Sequence, residues 1–306
     1  MSRKVALLGV LAALLLLDAA LVAFVRDVHA GDEPAAPGKF MGASTCDASS
    51  CHSRQTPRAN LPALQEHATW SALDGSGVPQ DRHAYAWKRL RPKAKGGDDR
   101  SAAMAAKLNE IEKTSDTAET SPRCLTCHGV ALPELGMSKK AAGAAVNRTP
   151  GLQGKTYRVA DGVSCDGCHG PAEKRLTPHD RAGWAASEWK KLGGKSGGSE
   201  KLYDATGLYY SKDLELWANQ CVRCHSKLDA NLVEAGHPEL NAFELFFQSQ
   251  SMPTHWRDYS RAAPAPELPG AGPLHAASLW QTGQVAALRT ALEQLLSRAK
   301  DGKHVA

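Results

Sequence analysis

Apolar residues run almost unbroken from Val5 to Val25, interrupted by Asp18 and preceded by the basic start Ser2-Arg3-Lys4. With Val28-His29-Ala30 behind it, this pattern predicts an export leader, residues 1–30, cleaved after Ala30. The run is also long enough to span a bilayer, so a retained anchor through residues 5–25 is the alternative. In both cases the remainder is expected on the exported, periplasmic side, with the basic end left inside. Downstream, apolar positions recur at helical spacing within short segments. Met104, Leu108 and Ile111 share one face of a helix expected over Ser101–Lys113, with Ser101 as N-cap. Val285, Leu288, Leu292, Leu295 and Ala299 recur at three- and four-residue steps in a final helix expected over Ala276–Lys300. That stripe reads as ordinary core, with a dimer or partner surface as the alternative. Gly193 to Gly198 reads as a flexible loop, and the Pro/Ala/Gly-rich stretch Ala262 to Pro273 as a linker. The expected class is mainly α with extensive loops, divided into 1–30, a body over 31–261, and the linker with its amphipathic helix over 262–306.

All eight cysteines of the chain fall into four groups, each ending in a histidine. The groups are Cys46…Cys51-His52, Cys124-Leu-Thr-Cys127-His128, Cys165-Asp-Gly-Cys168-His169 and Cys221-Val-Arg-Cys224-His225. Cys-x-x-Cys-His is the attachment signature of c-type haem: two thiols bond the porphyrin edge and the adjacent imidazole reaches the iron. Zinc knuckles and disulfides also use paired cysteines, but neither needs histidine directly after the second cysteine of every pair. With 12 His in 306 residues, four such placements have odds of roughly two in a million by chance. The pattern therefore predicts four covalently bound haem c groups. In the first motif four residues, Asp47 to Ser50, separate the cysteines; a longer loop can bulge while Cys51 and His52 keep their relation. The proximal histidines are spaced by 76, 41 and 56 residues, which excludes a common repeat length.

The formal charge of +5 would ordinarily suggest an anionic partner. Two propionates per haem offset it, and Arg82, Lys88, Arg89 and Arg91 are candidates to pair with them. Nothing in the pattern points to nucleic acid.

Three segments carry a resemblance to a known family. They are Asp81-Arg82-His83-Ala84-Tyr85-Ala86-Trp87, the run from Asp161 through Cys165-Asp-Gly-Cys168-His169 to Ala172, and Cys224-His225 followed by Gly236-His237-Pro238 and Pro253-Thr254-His255-Trp256. Over about residues 40–256 the chain resembles the cytochrome c-554-type multihaem family, related to the hydroxylamine oxidoreductases. The resemblance implies a multihaem cytochrome c fold wrapped around four closely packed haems, most with two axial histidines and one iron five-coordinate in the type member. It implies His83 as a distal ligand. His237, fixed before a proline, and His179, after Pro178, are further candidates, followed by His255 and His67. His275 and His304 lie in or near a linker and a tail. Three leading distal candidates for four irons leave one undecided. No histidine lies between His128 and Cys165, so the iron of His128 is the one left without an assigned second ligand, Met137 being a weaker alternative.

The expected function is electron transfer between transient redox partner proteins. A haem enzyme acting on nitric oxide, nitrite or hydroxylamine at one open iron is the alternative, and a subunit of an extracellular cytochrome wire is a third. The sequence offers no assignable acid or base for the enzyme reading.

Overall fold

The computed structural model describes residues 38–48, 52–53, 66–130, 154–181, 183–226, 228, 230–239, 244–251 and 275–300. The leader, Cys51, Met137, His255, the linker and His304 lie outside these residues, as does the His275 side chain. The described chain is mainly helical and contains no strand, only an isolated antiparallel bridge between Leu73 and Pro79. Among the described residues no helix is long and apolar enough to cross a membrane.

The helices are short up to the last one: α1 (Glu66–Ser71), α2 (Arg82–Tyr85), α3 (Asp99–Glu112), α4 (Pro122–His128), α5 (Cys165–His169), α6 (Trp184–Lys191), α7 (Gly198–Thr206), α8 (Leu214–His225), α9 (Ala230–Glu234), α10 (Leu245–Ser251) and α11 (His275–Lys300). Single turns of tighter helix join several of them, among them Trp87–Leu90, Val159–Asp161 and Pro178–Asp180. Residues 192–197 form the expected link between α6 and α7 as a run of turns, with positive φ at Gly193, Gly194 and Gly197.

Helix α3 covers the expected stretch but begins earlier than Ser101. Asp98 is the N-cap, its carboxylate accepting from the Arg100 N–H at 3.0 Å. Ser101 sits buried inside the helix and donates to the Leu90 carbonyl at 2.9 Å. A carboxylate three residues upstream therefore takes the capping role, and the hydroxyl ties the helix to the turn before it.

Among the described residues two clusters of buried apolar side chains stand out, each packed with a motif cysteine. Phe40, Leu90, Ala105, Ala118, Leu125 and Val130 form one, packed with Trp87 and Cys124. Ala218, Val222, Leu245, Leu279 and Ala286 form the other, packed with Trp217 and Cys221. The second cluster joins α8, α10 and α11. Helix α11 turns a narrow stripe of Leu279, Gly283, Ala286 and Thr290 toward the body. At Gly283 a Cβ would stand 2.6 Å from the Leu245 Cβ, so the close approach of α10 requires glycine there. The leucine stripe expected to be core lies on the opposite face: Val285 is 63% exposed and Leu288 62%. Periodicity locates an apolar face but not its direction, and here small residues allow the tighter packing.

Candidate functional site

Three of the motifs occupy the last turn of a helix that ends on its histidine: α4 on His128, α5 on His169 and α8 on His225. In one helical turn the spacing i, i+3, i+4 puts both cysteines and the histidine on one face. Pro122 opens α4, where its missing N–H costs nothing. Asp213 caps α8 by accepting from the Leu216 N–H at 3.1 Å. Of the first motif, Cys46 caps a single tight turn, Ala43–Thr45, and His52 is placed beside α1.

The fold brings three of these proximal histidines against three of the distal candidates. His52 and His179 have ring centroids 6.2 Å apart with planes nearly parallel, at 6°. His83 and His225 lie 5.9 Å apart at 90°. His128 and His237 lie 6.5 Å apart at 68°. The partners come from distant parts of the chain: His128, left without a second ligand in the sequence, faces a histidine from the segment after the fourth motif. His67 is placed differently. Its Nδ1 meets Asp47 Oδ1 at 2.9 Å, and its ring lies 5.6 Å from that of Trp70.

In five of these six rings Nδ1 meets an acceptor of the chain, which leaves Nε2 as the outward nitrogen. His83 Nδ1 meets Asp81 Oδ1 at 3.1 Å and His52 Nδ1 meets Glu66 Oε2 at 3.2 Å. His128 Nδ1 donates to the Ala86 carbonyl at 3.0 Å, and His237 Nδ1 to the Pro238 carbonyl at 2.9 Å. His179 Nδ1 donates to the carbonyls of Arg175 and Leu176, both at 2.8 Å. A carbonyl can only accept, so these contacts fix the tautomer of the three rings with the proton on Nδ1. Burial holds His128 below the usual histidine range and, with the charge of His83, lowers His225 to about 4. Both are thus neutral at pH 7, the form that binds a metal.

The motifs also touch one another. The Cys46 and Cys165 thiols are close enough to perturb each other's ionisation, as are those of Cys127 and Cys224. Cys168 lies within electrostatic reach of Cys224, and Cys221 of Cys168. Burial pushes the Cys168 thiol up to about 12 and raises those of Cys124 and Cys221. As thiols these groups would be poor nucleophiles and weak metal ligands. Among the described residues no group of three or more His, Cys, Asp or Glu converges as a metal cage would require.

Several residues that hold this arrangement carry no motif. Asp166, inside the third motif, is buried and accepts from the N–H groups of Met41 and Gly42 at 2.7 and 2.8 Å, binding the lead-in of the first motif to the third. The Val163 N–H donates to the His83 carbonyl at 2.9 Å. Gly162 beside it, at φ +66°, lies where a Cβ would be 2.5 Å from that carbonyl. Arg175, 7% exposed, donates to the carbonyls of Gly170, Pro171 and Gly207. Of the basic residues considered for propionates, Arg91 stands 3.5 Å from Glu119 and Arg89 4.0 Å from Asp98. Asp166, between two motif cysteines, and Arg175, in the charged triplet Glu173-Lys174-Arg175, carry no local signal of these roles. Only their distant backbone partners reveal their roles.

The chain matches no protein family model, no curated protein and no solved structure.

Proposed function

We propose that this chain is an exported tetrahaem c-type cytochrome that passes electrons between transient redox partners. The observation that carries the reading is the spacing of the three imidazole pairs. Two Nε2 atoms each about 2.0 Å from one metal, on opposite sides, put ring centroids about 6.3 Å apart. The pairs stand at 5.9, 6.2 and 6.5 Å. Direct stacking of imidazoles would bring rings closer, and solvated histidines would have no common spacing.

The donor set fits haem c. Cys124 and Cys127, Cys165 and Cys168, Cys221 and Cys224, and Cys46 with Cys51 would form the thioethers. His52, His128, His169 and His225 would bind from the proximal side, and His179, His237 and His83 would close three of the irons. When bound, such a group supplies a one-electron iron couple whose two imidazoles keep its potential low relative to His/Met ligation.

The chain's own residues do the rest. Nδ1 acceptors fix the rings, so little reorganisation accompanies a change of charge. The sulfur contacts suggest an adjacency of first motif to third, third to fourth, and fourth to second. That chain of neighbouring attachment points would keep successive transfers short. The resemblance to the cytochrome c-554-type family points the same way, and the proposed fold is one wrapped around closely packed haems. Export follows from the chemistry, since covalent haem attachment in bacteria belongs to the periplasmic side.

Mass spectrometry and electron paramagnetic resonance of the oxidised protein test this. The expected mass includes four haems. Perpendicular imidazole planes leave two iron orbitals nearly degenerate and parallel planes split them. The His83/His225 pair should therefore give a strongly anisotropic low-spin signal and the His52/His179 pair a rhombic one. A mass without haem would sink the proposal. A dominant high-spin spectrum that takes up nitric oxide would replace the relay with a ligand-binding enzyme.

A further inference from the structure

Helix α11 is amphipathic in the inverse sense. Trp280, Val285, Leu288, Leu292, Leu295 and Leu296 on its outer side are 41 to 63% exposed. Its charged side chains are drawn to the body instead. Arg289 hydrogen-bonds Asn219 and stands 3.9 Å from Glu215 and 3.7 Å from Glu293. Arg298 pairs with Glu239 at 2.7 Å. Val285, Leu288, Leu292, Leu295 and Ala299 follow the three-four spacing of a helix–helix seam. The geometry points to a second copy of this chain as the occupant, α11 against α11 about a two-fold axis.

Two observations favour that occupant. With the six side chains 41 to 63% exposed, a pair that covered them would bury on the order of 1,000 Å², the size at which a specific interface begins. Among the described side chains of this face none carries a formal charge, so two identical surfaces meet there without repulsion. A helix lying on a membrane would carry Lys or Arg along the edges of its apolar face. Here both arginines are held by partners within the protein.

Native mass spectrometry of the full-length haem-loaded protein in mild detergent tests the pairing. A dimer is expected, and Leu288→Lys/Leu295→Lys should give a monomer with unchanged haem content and helicity. A wild-type monomer, or a dimer that survives the double substitution, overturns the inference. Vesicles of anionic phospholipid retained by the wild type but released by the variant would overturn it in favour of a lipid surface.

A separate observation concerns the axial imidazoles, and it rests on the haem reading above. Of the three pairs, the one containing His83 is held by a fully buried carboxylate: Asp81 is 1% exposed. Glu66, which holds His52, has a side chain 25% exposed. His128 and His237 meet neutral carbonyls. We propose that Asp81 is a positioning residue that sets the potential of the iron bound by His83 and His225. A carboxylate accepting from Nδ1–H makes the imidazole a stronger donor and favours the oxidised iron, and burial leaves that charge little screened.

Asp81→Asn tests it, because the amide oxygen can still accept from the His83 N–H at the N-cap and from Nδ1–H. Spectroelectrochemistry should show one of four waves moving to higher potential, with a smaller displacement in Glu66→Gln. The low-spin signal assigned to the perpendicular pair should persist. Four unmoved waves, or a displacement larger in Glu66→Gln, would overturn the inference. If the wild type carried no haem, the underlying reading would fail instead, before the variant is made.

Discussion

Arg175→Met should be among the costliest single substitutions in the described chain. The guanidinium is 7% exposed. Its Nη1 donates to Pro171 and Gly207 at 2.8 Å each and its Nη2 to Gly170 at 2.6 Å. Gly170 and Gly207 make the contact feasible: both have positive φ, and a Cβ on Gly170 would stand 2.1 Å from the Gly207 carbonyl. The side chain therefore neutralises a place where two backbone segments meet with their oxygens toward each other. A hydrogen bond from a charged group contributes about 1.5–3 kcal/mol, and each buried carbonyl left without a donor costs about 1–3 kcal/mol. Against this stands the cost of burying the cation, visible as a guanidinium held below the usual arginine value by desolvation. The net loss should be about 3–5 kcal/mol, a fall in midpoint of about 10 °C for a chain of this size. Thermal and denaturant unfolding followed by helical circular dichroism measures it. Arg175→Lys, able to reach fewer carbonyls with one ammonium, should fall between. The Arg175 carbonyl also receives His179 Nδ1–H, so on the haem reading the methionine variant should broaden the low-spin signal proposed for the first motif. A loss below about 0.5 kcal/mol would refute the reasoning, since it would mean that water replaces all three donors.

On the haem reading, His237→Ala should turn one of the three low-spin irons high-spin, read by electron paramagnetic resonance; an unchanged spectrum would break the pairing with His128. Gly162→Ala places a Cβ 2.5 Å from the His83 carbonyl at φ +66°, so a loss of about 1–3 kcal/mol is expected in denaturant unfolding, together with a disturbed His83/His225 signal. An alanine variant as stable as the wild type would show that the lead-in can move away from His83 without cost. Burial raises the Asp166 carboxyl above the usual range despite the N–H groups of Met41 and Gly42. A raised carboxyl favours the protonated fold, so this residue's contribution falls as pH rises through the carboxylate range and stays low above it. Asp166→Asn, uncharged throughout, should therefore gain stability relative to the wild type as pH is raised from about 3 to 7. Unfolding curves that keep a constant difference across that window would exclude the assignment.

What the sequence makes legible here is the chemistry that lies within one turn of helix. Cys-x-x-Cys-His can be read directly because its three side chains share a face through local geometry alone, and α4, α5 and α8 each end where the motif does. The ends of α11 are legible for the same reason: its periodicity is local. Its direction is not, because which side meets α8 depends on whether Gly283 and Ala286 allow closer packing than Leu288 and Leu292. The partner of His128 is hidden by a different cause. Sequence proximity suggests a search near the motif, whereas His237 reaches it from beyond the fourth motif, and no local rule connects the two segments.

The residues that make those distant connections are not the ones with recognisable chemistry. Asp166 lies between two motif cysteines, yet its carboxylate holds the backbone of residues 41 and 42. Val163 leads into the third motif, yet its N–H fixes the carbonyl of His83, whose ring faces the fourth. Arg175 joins the exit of the third motif to the turn after α7 while its carbonyl orients His179, which faces the first. The third motif is thus tied by ordinary hydrogen bonds to the ring pairs of the first and the fourth. In a chain whose described apolar clusters are small, such ties fix the relative positions of these three motifs. A relay needs that property more than an isolated site would, because its output depends on distances between centres and not on any one centre alone.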